Sequence, residues 1–366
     1  MARILVNMPS QFGGKPSGVS RVAFALLGRL LALGGHDYVL RSNWRRDALP
    51  DALRQSALEL VEVPRPGIMS VDVVRQLVTV PALCRARGID IVWNVDPFGA
   101  ACGGRARVTT IHDLYFHSVP DLVGRRAAGT MRLCYGLVIR ASTRIVAISR
   151  YTLNEAATLY PASAARMIEI ANDATLAAPA GGLPKCMVGE PYLLLVGNGT
   201  PNKNLGLAVA ALARLPEADR PLLVHVGLDE GGQLATALAA EAHPPRLHSL
   251  SDVDDAALAG LYAHALALVV PSLAEGFCLP IVEAQEIGCP VIASSASVMP
   301  EVAGDAALFF DPRDAADLAG RIAKLGNDAF LRADLIARGH ANRRRFSWDA
   351  SAARYAALFS ELAGSA

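Results

Sequence analysis

Charge is scarce in this chain of 366 residues: Asp, Glu, Lys and Arg make up 19%, against about 25% in a typical soluble domain. Lysine is scarcest, with only four positions, Lys15, Lys185, Lys203 and Lys324. Arginine supplies nearly all the positive charge, so each lysine is a choice that needs a reason. No run of about 18 uninterrupted apolar residues is present. The nearest, AHALALVVPSLA, is broken by His264 and Pro271, so a membrane-spanning helix is not expected. The N-terminal MARILVNMPS lacks the layout of a secretory signal, and a cytoplasmic location is the expectation. The six cysteines (84, 102, 134, 186, 278, 289) show no C-x-x-C spacing and sit in apolar strings. That pattern suits buried thiols in a reducing compartment rather than a disulfide frame or a zinc site. No His/Cys/Asp cluster has ligand spacing, so no metal is expected. No cofactor and no nucleic-acid partner are expected either.

What the chain has in quantity is apolar surface to bury, with 52% hydrophobic residues and a mean hydropathy of +0.30. At ~150 residues per domain the length predicts roughly two domains. Short apolar runs alternate with helix-length segments. The first half reads as strands RILVNM (3–8), DYVLRS (37–42), ELVEV (59–63), DIVWN (90–94), VTTIH (108–112), RIVAIS (144–149) and MIEIA (167–171). The second half repeats the rhythm with YLLLVG (192–197), PLLVHVG (221–227), ALALVV (265–270), PVIAS (290–294) and AALFF (306–310). Runs without polar alternation are buried on both faces, and alternation with helices implies parallel sheets. AAPAGGLPK (177–185) reads as a linker. The expectation is α/β: two doubly wound, Rossmann-like domains facing across a cleft. Their bounds are 1–178 and 186–347. The net charge of +1 hides an asymmetry, +8 over residues 1–180 and −7 over the rest.

In such sheets ligands bind at the carboxyl ends of strands. The strongest constellation there is EGFCLPIVE, Glu275 to Glu283. Pro280 fits the first turn of a helix, whose free N–H groups and dipole suit a phosphate. Glu275 and Glu283 could grip hydroxyls on either side of it. The plain alternatives are a solvated loop charge for Glu275 and a helix-dipole partner for Glu283. Lys203, in the polar loop after YLLLVG, suits a point-charge grip on a diphosphate, or is a solvated loop lysine. Gly13, Gly14 and Gly18 let backbone N–H groups approach a ligand, or mark a plain turn. His112-Asp113 ends a strand, and Ser149 and Asn172 end two others; each could equally be a core histidine, a cap or an Asx turn. Asp252-Val253-Asp254 spells D-x-D, but precedes DAALAGLYAHA and reads as a helix cap.

The 275–283 run resembles the E-x7-E element of retaining glycosyltransferases of family GT4, which have the GT-B fold. The likeness continues through LYAHALALVVPSLAEGFCLPIVEAQEIGCPVIASSASVMPEVAGDAALFFDP (261–312), and the wording is similar to bacterial mannosyltransferase-like members. VGNGTPNKN (196–204) resembles the family's phosphate loop, and PSGVSRVAFALLGRL (16–30) its acceptor-side loop and first helix. TTIHDL (109–114), VAISRYT (146–152) and FSWDASAARYAALF (346–359) fall at family stations too, and the last implies a helix at about 348–366 that returns to the first domain. The resemblance implies metal-independent transfer of a hexose from a nucleotide sugar, with mannose from GDP-mannose the first choice, to a glycan or lipid-linked glycan. It implies catalytic roles for His112, Lys203 and Glu275. Donor contacts are implied for Gly14, Gly18, Asn202, Lys203, Val253, Gly276, Phe277, Cys278, Leu279 and Glu283. Arg21, Asp113, Ser149 and Asn172 are implied on the acceptor side. Asn202 stands where the family usually has Arg, which leaves room for a non-catalytic partner subunit. An NAD-dependent oxidoreductase is the weaker rival, since no clean G-x-G-x-x-G follows the first strand. The arginines 125, 126, 132, 140 and 144 make peripheral membrane contact an expectation of the basic half, against a merely solvated face.

Overall fold

The computed structural model describes residues 1–8, 17–64, 67–174, 176 and 190–364. The chain divides into two compact units, Met1–Asp173 with Phe346–Ala366, and Ala174–Arg345.

The first unit contains β1 (Arg3–Met8), α1 (Gly18–Leu33), β2 (Asp37–Ser42), α2 (Asp51–Arg54), β3 (Glu59–Glu62), α3 (Met69–Arg87) and β4 (Ile91–Asn94). It continues with β5 (Ala106–Ile111), α4 (Tyr115–Ser118), α5 (Arg125–Ala141), β6 (Arg144–Ala147), α6 (Arg150–Leu159) and β7 (Met167–Glu169). Its seven strands are parallel in the order β3-β2-β1-β4-β5-β6-β7. The order reverses between β1 and β4, which opens a crevice at their carboxyl ends.

Local chemistry sets the helix ends. Ser17 caps α1, accepting from Ser20 N at 3.1 Å, while Ser20 Oγ accepts from Ser17 N at 2.7 Å. Gly88, in the left-handed region at φ 61°, stops α3. Inside α3, Pro81 removes the N–H that would reach the Leu77 carbonyl. Cys102 Sγ donates to that carbonyl instead, at 3.3 Å.

The second unit runs β8 (Tyr192–Val196), α7 (Gly206–Ala213), β9 (Leu222–Val226), α8 (Gln233–Ala240), β10 (Leu247–Leu250), α9 (Asp255–His264) and β11 (Ala267–Val270). Then follow α10 (Leu279–Ile287), β12 (Val291–Ser294), α11 (Met299–Ala303), β13 (Leu308–Phe310), α12 (Ala315–Asn327) and α13 (Ala329–Arg343). Its six parallel strands take the order β10-β9-β8-β11-β12-β13, reversing between β8 and β11. β4, β11 and β12 are buried at every position, which is why they read as unbroken apolar runs. β10 escapes sequence reading: it is an edge strand, LHSL, with a polar centre and no fully buried residue.

The last helix, α14 (Trp348–Gly364), packs back on the first unit beside α1. Asp173 Oδ2 accepts from Trp348 N at 3.0 Å, and Ser351 Oγ donates to the Ala171 carbonyl at 2.7 Å. Beneath it Trp93 of β4 donates through Nε1 to Thr110 Oγ1 at 3.1 Å, and the Thr110 hydroxyl bonds the Tyr355 hydroxyl at 2.9 Å. Phe359 lies 5.8 Å from Trp93 and 6.0 Å from Tyr355, centroid to centroid, and is fully buried. The five described cysteines are free thiols, and among the described residues no helix is long and apolar enough to cross a membrane. Removing the Phe359 ring should leave a cavity and cost about 3–5 kcal/mol. Phe359→Ala is expected to lower the urea midpoint of unfolding strongly, while Phe330→Ala, at a side chain 91% exposed, leaves it near wild type.

Candidate functional site

In the second unit the loops leaving β8 and β11 meet where the strand order reverses. The first folds into a 3-10 turn, Pro201–Lys203, that sets Lys203 against the second. Lys203 Nζ lies 2.6 Å from Glu275 Oε1, with the side chains 21% and 13% exposed. Ser272 Oγ donates to the same Oε1 at 2.9 Å. One hydroxyl fixes the Glu275 backbone: Ser297 Oγ donates to its carbonyl at 2.8 Å and accepts from its N–H at 3.1 Å.

The β8 loop is built for close approach. Gly227, at φ 145°, sits so near the Gly197 carbonyl that a Cβ would come within 2.4 Å of that oxygen. Gly197 itself, at φ 129°, lies under the Lys203 side chain, 3.3 Å from Cε by the same measure. Asn204 adopts the left-handed conformation at φ 53° and donates through Nδ2 to the carbonyls of Pro271 (3.1 Å) and Pro312 (2.9 Å). Asn202 is buried; its side-chain amide donates to the Ala274 carbonyl at 2.9 Å and its backbone carbonyl accepts from Leu273 N at 2.8 Å. Its side chain therefore ties the Lys203 loop to the Glu275 loop.

Beyond Glu275 the chain enters α10. Gly276 and Phe277 are buried, and Cys278 takes the N-cap position at φ 67°. No side chain caps this helix and no acid occupies its first turn, which leaves its amino end suited to an anion. Burial, helped by the Glu275 charge, pushes the Cys278 thiol far up, so it stays protonated and unsuited to nucleophilic attack. Leu279 and Pro280 are half-buried at the helix start. Glu283 lies past the first turn, so the dipole-partner alternative does not describe it. It is buried and accepts from the Tyr262 hydroxyl at 3.1 Å. Burial and the facing carboxylate hold that phenol protonated.

Asp254 of the D-x-D string caps α9, accepting from Ala257 N at 2.7 Å, and Val253 is half-buried ahead of it. Among the described residues no group of three His, Cys, Asp or Glu could hold a metal ion.

In the first unit, Gly14 lies outside the described residues, Gly18 opens α1, and Arg21 is half-buried one turn on. His112 and Asp113 follow β5 directly, both half-buried. His112 Nε2 is 2.8 Å from the Val95 carbonyl. A carbonyl only accepts, so Nε2 carries the proton and Nδ1 keeps its lone pair. Ser149 caps α6, accepting from Thr152 N at 3.0 Å, and is buried with Asn172. Of the residues the site uses, Asn204, Ser272, Ser297 and Tyr262 were not singled out from sequence.

Burial lowers the His112 pKa below its usual 6.5, against opposing pulls from the Val95 carbonyl and the Asp96 charge. The unfolded chain then takes up the proton first as pH falls. Stability carried by the neutral ring is present above about 6.5 and is lost below it. The urea midpoint of His112→Gln should therefore fall less between pH 7 and pH 5 than that of wild type; identical pH dependence would contradict a neutral His112.

Two family models match the chain: "Glycosyltransferase Family 4" over residues 16–172 and "Glycosyl transferases group 1" over residues 187–341. O-antigen chain mannosyltransferase B of Escherichia coli is 30% identical over 257 residues, covering 66% of this chain and 67% of that protein. MMP alpha-(1->4)-mannosyltransferase of Mycolicibacterium hassiacum is 34% identical over 167 residues, 43% of this chain and 40% of that one. The fold matches sucrose-phosphate synthase from Thermosynechococcus elongatus with a TM-score of 0.76 at 18% identity, over 100% of both chains. The uncapped helix, the lysine–glutamate pair and these matches lead to one assignment: the chain belongs to glycosyltransferase family 4 and is a glycosyltransferase of the GT-B fold.

Proposed function

We propose that this glycosyltransferase moves mannose from GDP-mannose to a hydroxyl of a glycan or lipid-linked oligosaccharide, with retention at the anomeric carbon and without a metal. The observation that carries the reading is the Lys203–Glu275 pair beside the uncapped start of α10. A diphosphate arriving there offers Lys203 a stronger anionic partner than one carboxylate, since it brings more charge and more acceptor oxygens. Glu275, once released, accepts from hydroxyls of the transferring sugar, and Glu283 from those of the ribose. The donor choice is supported by the two mannosyltransferases named above.

In this scheme the donor is held by the second unit and the acceptor by the first, with His112 Nδ1 accepting from a sugar hydroxyl. The bond from the anomeric carbon to the diphosphate breaks with its electrons going to the phosphate. The acceptor oxygen bonds on the same face, and its proton passes to the departing phosphate. Lys203 stabilises most where the leaving oxygens gain charge. No step needs Cys278, whose thiol stays protonated, nor Asp254, whose carboxylate is used as a cap.

The reading of a silent partner subunit rests on Asn202. That position is occupied by a tether that leaves Lys203 and Glu275 paired, which favours the enzyme. Incubation with a panel of nucleotide sugars in EDTA, following nucleotide release, tests it. GDP-mannose should be turned over fastest, and Lys203→Ala and Glu275→Ala should each cut turnover by about 10²–10³-fold. Unchanged turnover in both variants would overturn the roles given to them, and faster release from another sugar nucleotide would overturn the donor.

A further inference from the structure

Exposed large apolar side chains are unevenly placed. Seven of the eleven among the described residues lie on or just before two helices of the first unit, α3 and α5. On α3, Val71, Val74, Leu77 and Val78 follow the spacing of a single helical stripe, with Val74 62% and Val78 73% exposed. The opposite stripe of the same helix, Val73, Gln76, Val80 and Cys84, is buried against the sheet and its neighbours. On α5, Leu133 and Leu137 stand one turn apart, 75% and 42% exposed. The helices touch where Val73 packs on Cys134 and Val138, which makes α3 and α5 neighbours on the first unit. A helix needs one apolar face to bury; each of these has two.

The charge on the pair is as one-sided. α3 carries three arginines and α5 four, and the single acid on either helix is Asp72, which is buried. Arg75 lies one turn from Val71 and Val78, and Arg126 and Arg140 bracket the leucines along α5. Arg126, Arg132 and Arg140 make no ion pair with a described acid, while Arg125 meets Asp121 at 3.3 Å with both side chains open to solvent. Apolar side chains accompanied by arginine, with no exposed acid on either helix and only Asp121 beside α5, match the physical demand of an anionic lipid surface: valines and leucines enter the acyl boundary and guanidinium groups stay at the headgroups. A second copy of the chain placed symmetrically on this face would set arginines against arginines.

We propose that the α3–α5 face docks on an anionic bilayer surface. The proposal deepens the reading of a lipid-linked acceptor and rests on it for its purpose, but its test uses vesicles with no glycan and no nucleotide sugar. The full chain is sedimented with vesicles of phosphatidylcholine alone, or with phosphatidylglycerol added to one third. Binding should be at least tenfold tighter to the anionic vesicles and should weaken with salt. Arg126→Glu with Arg140→Glu should weaken it roughly thirtyfold or more, at about 1 kcal/mol per basic group at the surface. Val74→Ser, Val78→Ser and Leu133→Ser together, all at exposed positions, should lower binding at high salt as well, with the urea midpoint kept. Wild-type protein left in the supernatant, variants that bind as well as wild type, or a wild-type dimer that the serine variant turns into a monomer would each overturn the proposal. Nucleotide-sugar turnover measured in parallel on a soluble acceptor separates this failure from failure of the transfer reading.

Discussion

The contact on which the site depends is the 2.6 Å ion pair between Lys203 and Glu275. Each side chain comes from a loop after one of two adjacent strands, β8 and β11, at the point where the sheet order reverses. A parallel sheet with that reversal cannot cover both strand ends with one crossover, so two loops are left to meet. The pair is mostly withdrawn from water, which makes it costly for either charge to stand alone. Surrounding groups answer that cost: Ser272 donates to Glu275, Ser297 fixes its backbone, and Asn202 and Asn204 hold the lysine loop by carbonyls of the facing segment. In the proposed reaction a pair held this way serves as an exchange site, where a diphosphate replaces the carboxylate on a scaffold that stays in place.

That scaffold was largely legible from the residues. Buried parallel strands are continuous apolar runs, and twelve expected strands all have counterparts in the two sheets. β10 was not legible, since an edge strand with His248 and Ser249 at its centre carries no apolar pattern to read. The returning helix was placed by resemblance, but the device that seats it, Asp173 capping Trp348, spans 175 positions of sequence and leaves no local sign.

At the site the balance shifts. Lys203 and Glu275 stood out because lysine is rare and because the glutamate precedes a helix start with proline. Ser297 could not stand out: it lies 22 residues beyond Glu275 and is a serine among serines. Asn202 was legible as an oddity but not as a tether, because its meaning depends on the Ala274 carbonyl arriving from the loop after β11. Ser149 and Asp254 show the reverse case, where the local capping alternative describes the bonds that are made. Local rules locate caps and strands; a site assembled from two loops needs the fold.

The scarcity of lysine now has a place. Arginine supplies the positive charge of the basic half and of α3 and α5. Lys203, one of only four lysines, stands where the proposed reaction needs a compact charge to pass from one partner to another. A crystal structure with bound GDP-mannose tests that claim most directly. The account predicts that Lys203 Nζ leaves Glu275 Oε1 for the diphosphate oxygens while Glu275 turns to a sugar hydroxyl. A donor bound with the Lys203–Glu275 pair intact and its diphosphate elsewhere would contradict it.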